Sequence, residues 1–249
     1  MAANTTLLRD AYDYVLRRFE APAVNVPGIY HDLAHTRETV EAGRNIAEGL
    51  GLSEKEVIVV ELACWFHDIG YLDSRSEHEQ KSADIAETFL RERDVDPDTI
   101  KSVRGCILAT KIPQNPENLL EQVVCDADLS HLGSPEYSRK NKLLRTELEK
   151  NSGKTFTRLE WLQLNIDFFR NHEFFTSFAR RQFNQGKTEN LISLYEELRE
   201  KKTAKKKTKK KEKRPRKTAV WKEIWRCITE PPRAIMSASA RSWIRRQTS

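Results

Sequence analysis

The sequence predicts an all-α fold, a helical bundle followed by a charged extension with nothing to bury. Three observations carry this. Apolar residues recur at three- and four-residue spacings almost everywhere up to about residue 200. Gly and Pro are sparse, 9 of each in 249 residues. No stretch alternates apolar and polar residues for long enough to make a strand.

Taken in order, the periodicity places the first helix at roughly 4–20 and the second at roughly 33–50, closed by Gly49 and Gly51. The third, roughly 54–69, opens on Ser53 and Glu56, a capping-box pair. A fourth follows at roughly 77–93, and a fifth at roughly 97–110 starts on Asp96-Pro97, an N-cap followed by Pro at the first helical position. Pro113 and Pro116 bracket a turn into a sixth helix at roughly 117–131. Three more are expected at roughly 134–150, 157–170 and 174–199, where Trp161, Phe168, Phe169, Phe174, Phe175 and Phe178 serve as packing residues.

Charge divides the chain. Residues 1–200 hold 25 Lys and Arg against 34 Asp and Glu, a net of −9, while residues 201–249 hold 18 against 3, a net of +15. The overall pI of about 9.1 therefore describes neither part, and it is no argument for a nucleic-acid-binding domain. Three units are expected: a domain over 1–200, a disordered Lys-rich linker over 201–217, and a tail over 218–249. In the tail, Trp221, Ile224, Trp225 and Ile228 fit one short amphipathic helix ended by Pro231-Pro232. The linker suits weak, sequence-independent contact with polyanions or anionic lipid. Cys64, Cys106, Cys125 and Cys227 show no paired short spacing, which suits a reduced, cytoplasmic protein. Neither a signal-type segment nor a run of about 18 apolar residues occurs, so no transmembrane segment is expected.

Function enters at Glu61-Leu-Ala-Cys-Trp-Phe-His-Asp-Ile-Gly70. His67 and Asp68 end an apolar run where a purely structural helix would place Leu or Ala. Burying an imidazole and a carboxylate without partners costs several kcal/mol, roughly, and a shared cation removes much of that penalty. With His35 of Tyr30-His-Asp-Leu-Ala-His35 and Asp128 of Cys125-Asp-Ala-Asp128, the chain offers two imidazoles and two carboxylates from three helices. This mixed N/O set suits a hard or borderline divalent ion such as Mn, Mg, Co, Ni or Fe.

The order His, His-Asp, distant Asp resembles the HD superfamily of metal-dependent phosphohydrolases, over about Tyr30 to Gly133. The resemblance implies an HD-domain helical bundle with His35, His67, Asp68 and Asp128 as metal ligands and Asp126 behind them in the second shell. One or two ions are expected. With two, Asp68 would bridge them and His78 would face the second ion or a phosphate. The implied reaction is attack of metal-activated water on a phosphomonoester or phosphodiester, with a nucleotide as the expected small phosphorylated substrate.

Tyr30-His-Asp-Leu-Ala-His35 is also similar to the Tyr-His-Asn-x-x-His element of cyclic nucleotide phosphodiesterases, which implies His31 as general acid; Asp32 departs from that pattern. Lys111 is the favoured phosphate contact, ahead of Arg75 and Lys81. His131 is read as a helix-end imidazole bonded to a carbonyl, and His172 as structural. The strings Trp65-Phe-His-Asp-Ile-Gly70, Leu108-Ala-Thr-Lys-Ile-Pro-Gln114, Cys125-Asp-Ala-Asp-Leu-Ser-His-Leu-Gly133 and Asn171-His-Glu-Phe-Phe-Thr176 resemble the HD module that precedes a membrane-spanning effector domain in Pycsar-type antiphage proteins. The Lys-rich run falls where those proteins have a linker, but no membrane segment follows it here, which fits a truncated, frame-shifted or different tail. Phosphohydrolase is the leading expectation. A cyclic nucleotide phosphodiesterase and a nucleotide-sensing module with little turnover are the alternatives.

Overall fold

The computed structural model describes residues 2–21 and 29–208, with side chains over 5–21 and 29–203. Among the described residues the secondary structure is helical throughout: α1 (Ala2–Glu20), α2 (Leu33–Gly49), α3 (Glu54–Phe66), α4 (His78–Arg91), α5 (Pro97–Ala109), α6 (Leu119–Asp128), α7 (Tyr137–Ser152), α8 (Arg158–Asn171) and α9 (Ser177–Thr208). Two 3₁₀ turns interrupt the series, Ile69–Leu72 after α3 and Leu129–Gly133 after α6. No described helix is long and apolar enough to cross a membrane.

Local chemistry explains most helix starts. Ser53 and Glu56 form the capping box expected of them, with Ser53 N donating to Glu56 Oε2 at 2.8 Å. Asp96 accepts from Thr99 N at 2.9 Å, with Pro97 in the first turn. Asp32 caps α2 by accepting from His35 N at 2.8 Å, and so fixes the backbone of a candidate ligand.

The centre of the bundle is α3, which touches α1, α2, α4, α5 and α6. Every residue from Ile58 to Cys64 is buried, as a helix surrounded on all sides requires. The one charge in that run, Glu61, is tied to Arg44 of α2. Around α3 lies a single large apolar cluster that includes Phe66, Phe89, Leu90, Ile107 and Leu162. Cys64, Cys106 and Cys125 are buried and unpaired, acting as small hydrophobes.

Several boundaries differ from expectation, among them α6, which runs Leu119–Asp128 and not 117–131. The third helix stops at Phe66 instead of running to about 69, so His67 and Asp68 occupy a helix end. The ninth runs to Thr208, eight residues into the segment expected to be a disordered linker. Lys is a good helix former, and Glu197 stands one helical turn before Lys201, a favourable i, i+4 pairing of opposite charges. The rest of the Lys-rich run and the expected tail helix lie outside the described residues.

The second 3₁₀ turn is held by α9 at very short range. A Cβ on Gly186 would fall 2.0 Å from Gly133 O. Asn190 Nδ2 then donates to Leu132 O and to Ser134 O, both at 2.9 Å. Gly to Ala inside a helix ordinarily stabilises by about 0.5–1 kcal/mol, but at Gly186 the added methyl meets backbone that cannot yield. Gly186→Ala is therefore expected to lower the urea midpoint, and a raised midpoint would show that the crossing is looser than described.

Candidate metal centre

Three helix ends bring the site together. His35 sits in the first turn of α2, His67 just past the last turn of α3, and Asp128 on the final residue of α6. Ligand atoms of these three lie within 4.8 Å of one another, in a group able to hold a metal ion. The two imidazole Nε2 atoms are 3.3 Å apart. Asp128 Oδ1 is 3.2 Å from His35 Nε2 and 3.6 Å from His67 Nε2. Asp68 Oδ2 lies 3.0 Å from His67 Nε2 and 3.4 Å from His35 Nε2, yet it is buried with no hydrogen bond among the described residues.

A hydrogen bond between His67 Nδ1 and Cys64 O at 2.8 Å puts the ring proton on Nδ1, leaving the Nε2 lone pair aimed into the site. Lone pairs and carboxylate oxygens thus converge with no Lys or Arg ion pair to Asp68 or Asp128 among the described residues, and an orphaned buried oxygen joins them. That donor set fits a divalent cation. Proton binding reports the same field: burial pushes the His35 and His67 pKa values down, but Asp68 and Asp128 outweigh it, and both imidazoles end up raised. Burial would raise the two carboxylates, but the facing imidazoles hold both well below the usual range.

On the other side of Asp68, His78 Nε2 is 3.5 Å from Asp68 Oδ1 and 3.5 Å from Glu79 Oε1, while His78 Nδ1 is 3.1 Å from Arg75 O. Asp68 therefore lies between the two-imidazole cage and a second His/Glu pair. Glu79 is a carboxylate that the sequence reading did not single out.

Asp126 is redirected. Its oxygens accept from Phe175 N and Thr176 N, both at 2.8 Å, so it fastens the start of α9 and makes no hydrogen bond to the cage. Two residues along a helix turn about 200°, which is why Asp126 and Asp128 face opposite ways. Burial raises the Asp126 pKa, and the two amides only partly offset this.

His31 lines the same cavity as Asp68, His78 and Asp128, and its Nδ1 pairs with Glu147 of α7. Glu147 is the residue sequence reasoning missed. It is fully buried and accepts from Ile29 N at 2.7 Å, Tyr30 N at 2.8 Å, His31 N at 3.2 Å and Tyr71 OH at 2.8 Å. Burial pushes its pKa up, but the His31 imidazole and these donors bring it down to about 2, so it stays ionised. One signal was available: Glu147 falls three residues after Leu144 and one before Leu148, a charge on the apolar stripe of α7.

Lys111 and Arg75 both line the cavity; Lys111 is exposed, whereas Arg75 is partly enclosed, with its Nε buried and unpartnered among the described residues. Lys81 is not part of the lining. His131 Nδ1 lies 3.1 Å from Asp128 O, the carbonyl contact expected of it, and 3.1 Å from Tyr30 OH. Burial and the nearby His35 lower its pKa to about 4. His172 packs between Phe168 and Phe174, and burial lowers it to about 3.

Residues 29–133, which contain the whole cage, match the family model for the HD domain. The fold is similar to a crystal structure described as a predicted HD superfamily hydrolase from an uncultured Thermotogales bacterium, at 18% identity and TM-score 0.53, covering 77% of this chain and 91% of that one. No curated protein matches the sequence significantly.

A cation must displace protons from His35 and His67 to bind. Without metal, raised imidazole pKa values add stability that is complete at acidic pH and fades as pH rises through them; depressed carboxylates add stability above about pH 4 that fades on acidification. Metal reverses the first trend. Excess Mn²⁺, at roughly 100 times its Kd, should stabilise by about 2.7 kcal/mol, with a larger rise in Tm at pH 8 than at pH 6. His67→Ala should abolish the rise, and a pH-independent rise would place the ion elsewhere.

Proposed function

We propose that this HD-domain protein is a metal-dependent phosphohydrolase acting on a small phosphoester, with a nucleotide as the expected substrate class. The observation that supports it most is the convergence of His35, His67, Asp68 and Asp128 on one buried point, inside the cavity that His31 also faces. Those four residues would hold the ion, with His78 and Glu79 available to a second. Bound there, a divalent cation supplies water activation and phosphoryl polarisation.

The chain's own residues do the rest. Glu147 grips Nδ1 of His31 and the backbone amides of residues 29–31, so the imidazole keeps one orientation and one tautomer. Protonated on both nitrogens, the ring keeps Nδ1–H on Glu147 and gives its Nε2 proton to the leaving oxygen as the phosphorus–oxygen bond breaks, ending as the neutral Nδ1–H tautomer. Tyr71 stacks on the His31 ring at 4.3 Å between centroids and also donates to Glu147, which fixes the pair from a second side. Arg75 and Lys111 bring positive charge to the cavity wall for the non-bridging oxygens. The cyclic nucleotide phosphodiesterase reading draws on the same His31 and Glu147 pair, since a ring-opened phosphodiester also leaves an alkoxide in need of a proton. We place the activity in the cytoplasm. The nearer kinship to the antiphage effector module remains part of this proposal, carried by the four strings quoted above.

Hydrolysis of a panel of phosphomonoesters and cyclic and linear phosphodiesters, with Mn²⁺, Mg²⁺, Co²⁺ or Ni²⁺ added, tests the reading. His67→Ala and Asp68→Ala should abolish turnover, and unchanged turnover in either would sink the metal mechanism. His31→Ala and Glu147→Gln should lower kcat by roughly 10²- to 10⁴-fold on alkyl esters, the range for general acid catalysis. The loss should be much smaller on 4-nitrophenyl esters, whose leaving group needs no proton. Equal losses on both ester types would remove His31 from the acid role.

A further inference from the structure

We infer that α7 and α8 build a hydrophobic subsite beside the metal cage that takes a flat apolar or heteroaromatic ring of the ester's leaving group. This rests on the hydrolytic reading above. It adds which substrate feature is recognised, and by what.

The cavity that holds Asp68, His78 and Asp128 does not end at the cage. Its volume is about 300 Å³, and Leu144, Leu148, Trp161, Leu164 and Phe168 line another part of its wall. Four of these five belong to an apolar cluster separate from the main core: Trp161 and Leu164 are buried, with Leu144, Leu148 and Phe156 packed against them. A packed core would join the rest and leave no chamber. All of this wall comes from beyond residue 133, outside the segment that matches the HD domain.

Polar side chains do occur there, but they are occupied with one another. Trp161 Nε1 donates to Asn141 Oδ1 at 2.6 Å, Asn141 Nδ2 to Tyr137 OH at 2.6 Å, Tyr137 OH to Asn165 Oδ1 at 2.8 Å, and Asn165 Nδ2 to Trp161 O at 2.6 Å. Each group in this chain already has a protein partner. A ligand entering would find apolar surface and few free hydrogen-bonding atoms. Recognition of a base edge needs unpaired donors and acceptors in fixed positions, and this wall does not present them. It rewards removal of a ring from water. A volume at the small end of the range for ligand pockets suits one ring with its phosphoryl head.

The test uses full-length protein with Mn²⁺ and two ligands that share a phosphoryl head and cannot be hydrolysed, phenylphosphonate and methylphosphonate, titrated by calorimetry. Phenylphosphonate should bind at least about tenfold more tightly. Leu144→Gln and Leu148→Gln, both at half-buried positions on successive turns of α7, should cut that ratio several-fold; should either misfold on melting, the wild-type ratio still decides. Equal affinities, a ratio that both folded variants preserve, or failure of phenylphosphonate to bind overturns the subsite. Turnover of phenyl phosphate is followed in parallel. A binding preference without turnover removes the hydrolytic reading and leaves the subsite standing, whereas turnover without a preference does the reverse.

Discussion

Two imidazole nitrogens facing each other at 3.3 Å, with two buried carboxylates beside them, set the terms for the rest of the bundle. Neutral rings would meet lone pair to lone pair, so the arrangement needs a shared proton or a cation at its centre. To reach one point, the residues must come from places where helices start or stop. The free carbonyls of those ends then orient the rings: Cys64 O fixes His67, and Asp128 O fixes His131. Helix ends normally leave such carbonyls wanting partners. Here the ends of α3 and α6 find partners in the imidazoles of the candidate metal centre and its neighbour, and the 3₁₀ turns after each are the cost of ending a helix in the interior.

That constraint explains what could be read in advance. Helix positions were legible because periodicity and capping are local: Ser53 with Glu56 and Asp96 with Pro97 act within four residues of themselves. The cage residues were legible because His and Asp at an apolar helix end conflict with burial unless something compensates. Glu147 was not, since its partners Ile29, Tyr30 and His31 are more than 115 residues away, and in sequence it is one acid among 34 in the first 200 residues. Asp126 presents the opposite case. It stands beside the ligand in sequence, but helix geometry turns it onto α9.

The contribution of α9 is mechanical. The two residues before it are held by Asp126, its third turn by the Gly133 and Gly186 crossing, and the turn after that by Asn190 on Leu132 O and Ser134 O. All three attachments land on the segment from Asp126 to Ser134, so the end of α6 is clamped by a helix that supplies no residue of the cage. A clamp of this kind limits how far Asp128 and His131 can drift, and a metal site tolerates only small displacements of its ligands.

The division of labour between segments follows from these contacts. Residues 29–133 carry the candidate ligands, and the same α7 that orients His31 through Glu147 also lines the apolar part of the cavity with Leu144 and Leu148. Orientation of the His31 ring and the shape of the apolar side of the cavity are therefore set by one helix. A substitution on its inner face at Leu144 or Leu148 changes the chamber while the cage, assembled from α2, α3 and α6, keeps its geometry. A substitution at Glu147 acts on both the His31 ring and the backbone of residues 29–31. Within one helical turn, α7 thus holds two positions that shape the chamber beside one that fixes the backbone of residues 29–31, and a fold with that layout can reshape its cavity without rebuilding the His/Asp cage.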